Sequence, residues 1–252
     1  MKLEPAQALI VAADFAPALC GGAAGLREAL FTLVDKLDGT GVTIKVNSLL
    51  RCEGVRELIP RLHLKNVQVM ADLKLCDIPE TMRTDAQILA DYNPSIVTVM
   101  ANAGIEGMMA VREALRPETL VFAVTVLTSL DEDECQSIFG CSTKAGVLRF
   151  ARMAKLAGLN GIICSGQEAK LIRSRKELDG LLLGTPAIRP EWSLVAGDDQ
   201  KRPMTPHLAI EAGARFCIVG RPITKADDPR AAAEKTIAEI ATAIEDVYVR
   251  GR

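Results

Sequence analysis

The segment Val67-Gln-Val-Met-Ala-Asp72-Leu-Lys74-Leu-Cys-Asp77-Ile78-Pro79 places three ionic side chains directly behind an apolar run. Residues two apart in a strand point the same way, so Asp72 and Lys74 are expected to project to one side of a strand end. Lys45 closes a second run, Val42-Thr-Ile-Lys45-Val46. On an adjacent strand it would add a second ammonium, giving an alternating array of charges where core residues would otherwise stand. Such an array is a candidate functional site. The competing reading is a structural ion-pair network, since paired charges are often structural. Burying a charge costs several kcal/mol unless it is paired, and three ionic residues at two strand ends therefore favour function.

What positions these residues is a repeating pattern. Short apolar runs, rich in Val and Ile, recur at Ala8–Ala13, Val42–Val46, Val67–Leu73, Ile96–Met100, Leu120–Val126, Gly161–Cys164, Leu181–Gly184 and Phe216–Val219. Helical spacing of apolar residues separates most of them, notably at Leu26–Leu37, Thr81–Tyr92, Gly107–Leu115, Ala145–Leu156 and Ala231–Val247. The last of these is expected to pack against the first strands. Near-continuous apolar strands joined by long crossovers are the mark of a buried parallel sheet. Eight such units in 252 residues fit a single (β/α)8 TIM barrel, an α/β fold whose active sites are built at the C-terminal ends of its strands. An open doubly wound sheet would offer a Gly-rich turn after its first strand, but the turn here is Asp14-Phe15-Ala16-Pro17. Residues 189–206 form the longest stretch without a clear period, and a loop over the site is the expectation there.

Composition narrows the function classes. The formal net charge is −2, aromatics are 4% of residues, and there is no long basic run. Neither a nucleic-acid surface nor a membrane partner is expected, and small-molecule chemistry is. Seven scattered cysteines without a C-x-x-C pair suggest buried, reduced thiols in a cytoplasmic protein. Neither His63 nor His207 has a nearby ligand pattern, which argues against a zinc site. The run ending at Asp14 reads as a first strand, not as a signal peptide or membrane span.

Asp72-Leu-Lys74-Leu-Cys-Asp77-Ile78-Pro79 resembles the D-x-K-x-x-D-I-P signature of the orotidine 5'-phosphate decarboxylase family, and Lys45 looks like that family's second-strand lysine. Further matches follow in order: Ala12-Ala13-Asp14, Val124-Thr-Val-Leu-Thr128-Ser129, Thr185-Pro-Ala-Ile-Arg189-Pro190, Gly197-Asp-Asp-Gln200 through Pro206, and Val219-Gly220-Arg221-Pro222. The resemblance covers nearly the whole chain. It implies cofactor-free and metal-free conversion of orotidine 5'-phosphate to uridine 5'-phosphate (UMP), in pyrimidine biosynthesis. Lys45, Asp72, Lys74 and Asp77 would be the catalytic array. Asp14 would contact the ribose, Thr128 and Ser129 the pyrimidine, and Gly220, Arg221, Arg189 and Gln200 the phosphate. Ile78 and Thr81 would complete the substrate contacts, with Asp77 and Thr81 reaching the site of a second subunit in a homodimer. Taken singly, Asp14 could instead cap a helix, and Thr128 and Ser129 could be turn residues.

The sequence departs from the family's usual residues at Leu75-Cys76, Glu80, Asn47, Met100 and Ala187, none of which belongs to the charge array. Two other readings stay open. One is a magnesium-dependent sugar-phosphate decarboxylase or aldolase of the same barrel group, in which an acidic ligand stands where this chain has Lys45. The other is a catalytically silent barrel that binds a nucleotide monophosphate.

Overall fold

Each of the eight apolar runs forms a strand in the computed structural model, which describes residues 4–193 and 204–250. They are β1 (Leu9–Ala12), β2 (Thr43–Val46), β3 (Gln68–Leu75), β4 (Ile96–Met100), β5 (Leu120–Val124), β6 (Gly161–Ile163), β7 (Leu182–Thr185) and β8 (Phe216–Val219). They neighbour one another in chain order and close into a parallel barrel, so the fold is a TIM barrel. Every residue of β1, β2 and β8 is buried, which is why β1 and β8 read as unbroken apolar runs instead of alternating and why Lys45 stands out in β2.

The crossovers carry α1 (Ala23–Lys36), α2 (Ser48–Glu53), α3 (Val55–His63), α4 (Pro79–Tyr92), α5 (Gly104–Ala114), α6 (Glu132–Phe139), α7 (Thr143–Leu156), α8 (Gly166–Arg173), α9 (Pro206–Glu211), α10 (Arg221–Thr224) and α11 (Pro229–Arg250). All five named helical stretches are helices, each starting two or three residues earlier than the apolar spacing indicates. Hydrophobic periodicity begins only where a face is buried, whereas a proline at the first turn, as at Pro79 and Pro229, already has the fixed φ that a helix start needs. No helix among the described residues is long and apolar enough to cross a membrane.

The chain divides into two compact units. The first comprises residues 1–71, 187–211 and 216–252. Its strands pair with Val11 opposite both Ile44 and Val219, and Lys45 opposite Ala12 and Met70. Helix α11 lies against β1, one of the first strands it was expected to meet, and also against α9 and the 3-10 turn Pro5–Ala8. The second unit comprises residues 72–186 and 212–215. Phe122 on β5 is 1% exposed and fills the space between two glycines. A Cβ on Gly161 would lie 2.3 Å from the Leu182 carbonyl oxygen and 2.6 Å from the Phe122 ring, and one on Gly184 would lie 3.7 Å from that ring. The absent side chains make room for the aromatic one.

Three of the seven cysteines, Cys135, Cys164 and Cys217, are buried, while Cys52 and Cys76 are exposed and Cys20 and Cys141 lie between. The expectation of buried thiols therefore holds for part of the set only. Cys52 and Cys76 sit at a helix end and in a loop, where a short apolar neighbourhood in sequence does not become a core.

Candidate active site

In the second unit, β3 delivers Asp72 and Lys74 to the C-terminal end of the strand, and their side chains form an ion pair with Lys74 Nζ 2.7 Å from Asp72 Oδ2. The Asp72 side chain is 8% exposed and that of Lys74 27%. Thr98, on β4 and fully buried, donates its hydroxyl to Asp72 Oδ1 at 2.9 Å. Each carboxylate oxygen thus receives a hydrogen bond, which offsets the several kcal/mol that an uncompensated buried charge would cost.

The pair forms by a different route from the one the alternation of a regular strand suggests. Lys74 has φ +52°, a left-handed conformation that an L residue adopts at a cost of roughly 1–3 kcal/mol. Its N–H leaves the ordinary ladder and donates to Thr98 Oγ1 at 3.0 Å. Thr98 therefore grips both members of the pair, the lysine through its backbone and the aspartate through its side chain. In the sequence this threonine is one β-branched residue among others in an apolar run, and the distortion at Lys74 has no glycine to announce it.

Beyond the strand end, Asp77 accepts the Ile78 N–H at 2.7 Å. Asp77, Ile78 and Thr81 are all exposed, Ile78 at 65%. Cys76 contacts Asn102 Oδ1 at 3.9 Å. Asp85, one turn after Thr81 on α4, was not singled out by its sequence context. Burial, and behind it the negative charge of Asp77, holds its carboxyl above the usual range. Thr128 and Ser129 occupy the middle of a turn closed by the Leu130 N–H on the Leu127 carbonyl, and both are exposed. The turn role anticipated for them is thus present, and it leaves both hydroxyls open to a ligand.

In the first unit, Lys45 at the end of β2 is 6% exposed and pairs with Asp14, Nζ to Oδ2 2.6 Å. The Ala13 N–H bonds to the Lys45 carbonyl oxygen at 3.0 Å and brings the loop after β1 to the lysine. Asp14 caps no helix; the turn that follows starts at Pro17, with Ala16 before it. Its side chain is 51% exposed, leaving part of the carboxylate available to a hydroxyl-bearing ligand. Gly220 and Arg221 lie where β8 passes into α10, with Gly220 half-buried and Arg221 exposed. Arg189 is 7% exposed, and its N–H donates to the Met204 carbonyl oxygen at 3.0 Å, beside a bridge between Ile188 and Met204. Ala187, just before them, has φ +61°. Gln200 lies outside the described residues, as does most of the stretch expected to form a loop.

Comparison with known proteins follows the same outline. A profile described as orotidine 5'-phosphate decarboxylase / HUMPS family matches residues 7–236. The chain is 35% identical over 243 residues to an orotidine 5'-phosphate decarboxylase of Saccharophagus degradans, covering 95% of this chain and 97% of that one. It is 36% identical over 237 residues to one of Pseudomonas aeruginosa, covering 92% and 97%. Among solved structures, orotidine 5'-phosphate decarboxylase from Lactobacillus acidophilus superposes with a TM-score of 0.77 at 31% identity, over 93% of this chain and 99% of the other. An uncharacterized conserved protein from Geobacillus kaustophilus follows with a TM-score of 0.74 at 28% identity, over 92% and 99%.

Proposed function

Since the chain belongs to the orotidine 5'-phosphate decarboxylase / HUMPS family, we propose that it is the decarboxylase itself, a cytoplasmic lyase that converts orotidine 5'-phosphate to UMP and CO2. The observation that carries this reading is the Lys74–Asp72 pair held by Thr98, together with a buried lysine, Lys45, at the end of β2. The magnesium-dependent relatives need an acidic metal ligand at that second-strand position, and an ammonium cannot serve as one.

Loss of CO2 from C6 of the pyrimidine leaves an electron pair that no ring carbonyl is placed to accept, so the transition state resembles a vinyl carbanion. Lys74 supplies the opposing positive charge and then donates its proton to C6, giving UMP. Asp72 lies toward the departing carboxylate and keeps Lys74 aimed, and Lys45 and Asp77 complete the array. This is preorganised electrostatics: the dipoles and charges stand in place before the reaction begins. Asp14 takes a ribose hydroxyl, and Thr128 and Ser129 take polar edges of the base. Ile78 and Thr81 sit beside Asp77 on the exposed start of α4, which suits a face shared with a second subunit in a homodimer.

The phosphate is the remote handle. Arg221, the Gly220 N–H, Arg189 and Gln200 are its partners, and its binding energy holds the base in register so that it raises turnover as well as affinity. The test is loss of orotidine 5'-phosphate absorbance with purified, EDTA-treated protein, alongside Lys74→Ala. Conversion to UMP that survives EDTA and disappears in the variant is the expected result. Absence of turnover by folded wild-type protein would refute the assignment, and activity on sugar phosphates with added Mg2+ would replace it.

A further inference from the structure

Helices α6 and α7 meet at two sulfur atoms that the proposed decarboxylation does not use. Helix α6 is fixed at its start by a capping box, in which Asp131 accepts the Glu134 N–H and Glu134 accepts the Asp131 N–H, and at its end by Gly140 in the left-handed conformation. Ser142 then caps α7. The short connection between these two fixed ends brings Cys141 back toward Cys135, six residues earlier. A methyl group at Gly146 of α7 would meet Cys141 Sγ at 3.5 Å, Cys135 Sγ at 3.6 Å and Val126 Cγ2 at 3.0 Å. Both sulfurs therefore border one point. Cys135 is fully buried and Cys141 is half-buried.

We propose that Cys135 and Cys141 form a dithiol modification site that reacts with small-molecule disulfides and closes to an intramolecular disulfide. Exposure sets the order of events. The Cys141 thiolate attacks one sulfur of the incoming disulfide, forming a mixed disulfide and expelling the first small thiolate. Cys135 then attacks Cys141 Sγ and passes its proton to the second small thiolate as that group is expelled. Both leaving thiolates take up protons, so two protein thiols and one small disulfide become one protein disulfide and two small thiols.

Burial, and then the neighbouring Cys141, push the Cys135 thiol up, so it is a poor first nucleophile and acts only once its partner carries the activated sulfur. Burial pushes the Cys164 and Cys217 thiols up to about 12, which makes them internal negative controls. The shared point also borders Val126, two residues before Thr128, so the two sulfurs lie beside the segment that leads into the Thr128–Ser129 turn.

The test uses the full reduced chain incubated with excess oxidised glutathione, quenched with acid and mapped by non-reducing peptide mass spectrometry. The expected product is a Cys135–Cys141 cross-link, with glutathione on Cys52 and Cys76 and nothing on Cys164 or Cys217. In Cys135→Ala a stable glutathione adduct should remain on Cys141, and in Cys141→Ser Cys135 should stay free. A wild-type protein whose Cys141 keeps glutathione without loop closure, or in which both thiols stay free while Cys52 and Cys76 react, would overturn the proposal. The wild-type map decides the matter even if a variant fails to fold.

Discussion

Replacing Thr98 by valine removes one hydroxyl and keeps nearly the same shape. The lost oxygen donates to the Asp72 carboxylate at 2.9 Å and accepts the Lys74 N–H at 3.0 Å. A hydrogen bond to a charged group contributes about 1.5–3 kcal/mol and a neutral one about 0.5–1.5 kcal/mol. Valine should therefore destabilise the fold by about 3 kcal/mol, because it leaves a buried carboxylate oxygen and an N–H with partners missing. It also frees Lys74 from the bond that holds its left-handed backbone, and a displacement of about 1 Å at a reacting group costs on the order of 100-fold in rate. Urea denaturation reads the first effect, and kcat and KM for orotidine 5'-phosphate read the second. The loss should fall on kcat, with KM little changed, and Thr98→Ser should restore both stability and turnover. A valine variant within about 0.5 kcal/mol of wild type and with wild-type kcat would refute the idea that Thr98 sets the pair.

Ala187→Gly relieves a left-handed residue that costs an L side chain roughly 1–2 kcal/mol, part of which is returned as unfolded-state entropy, so the melting temperature should rise by a few degrees with activity retained. Arg221→Ala should lower kcat and raise KM together in steady-state assays, because a phosphate contact that only tightened binding would leave kcat alone. Burial holds the Glu239 carboxyl above its usual range against the opposing N–H groups of Glu191 and His207, so its contribution to stability is complete below the ordinary value of 4.5 and is lost as pH rises through the folded-state value. Urea midpoints of wild type and Glu239→Gln measured across that interval should converge at low pH and separate as pH rises, with the variant the flatter of the two.

Much of the barrel was legible because its strands are buried on both faces and so appear as apolar runs bounded by turns. β5 shows where that signal overreaches. Its apolar run continues to Val126, but Thr125 turns its hydroxyl onto the Ile163 carbonyl oxygen at 2.8 Å and the strand stops at Val124. At the site, the ionic residues were legible by type and spacing, since charges inside apolar runs are costly enough to demand a reason. Thr98 was not, because a threonine suits any strand and its partnership depends on which neighbour the fold supplies. The left-handed conformations of Lys74 and Ala187 were hidden for a related reason: neither residue type signals positive φ, and tertiary contacts impose it. The α6–α7 thiol contact is equally tertiary, for nothing in a spacing of six residues says that a cap will fold one cysteine onto the other.

The fit of Phe122 between two glycines constrains the routes by which this wall of the second unit can change. At Gly184 the nearest obstacle to a larger residue is the Ile163 side-chain tip, at 2.7 Å, which can swing aside. At Gly161 it is the Leu182 carbonyl oxygen, at 2.3 Å, which cannot. Loss of the ring would thus leave a hole that position 161 can never refill, whatever residue is tried there. Truncating such a ring to alanine costs about 3–5 kcal/mol, and dry apolar cavities of that kind accept benzene-sized guests. A shrunken Phe122 would turn a purely structural residue into a site whose fold is rescued by an added aromatic molecule, and the stability of this unit would become something a small ligand can dial.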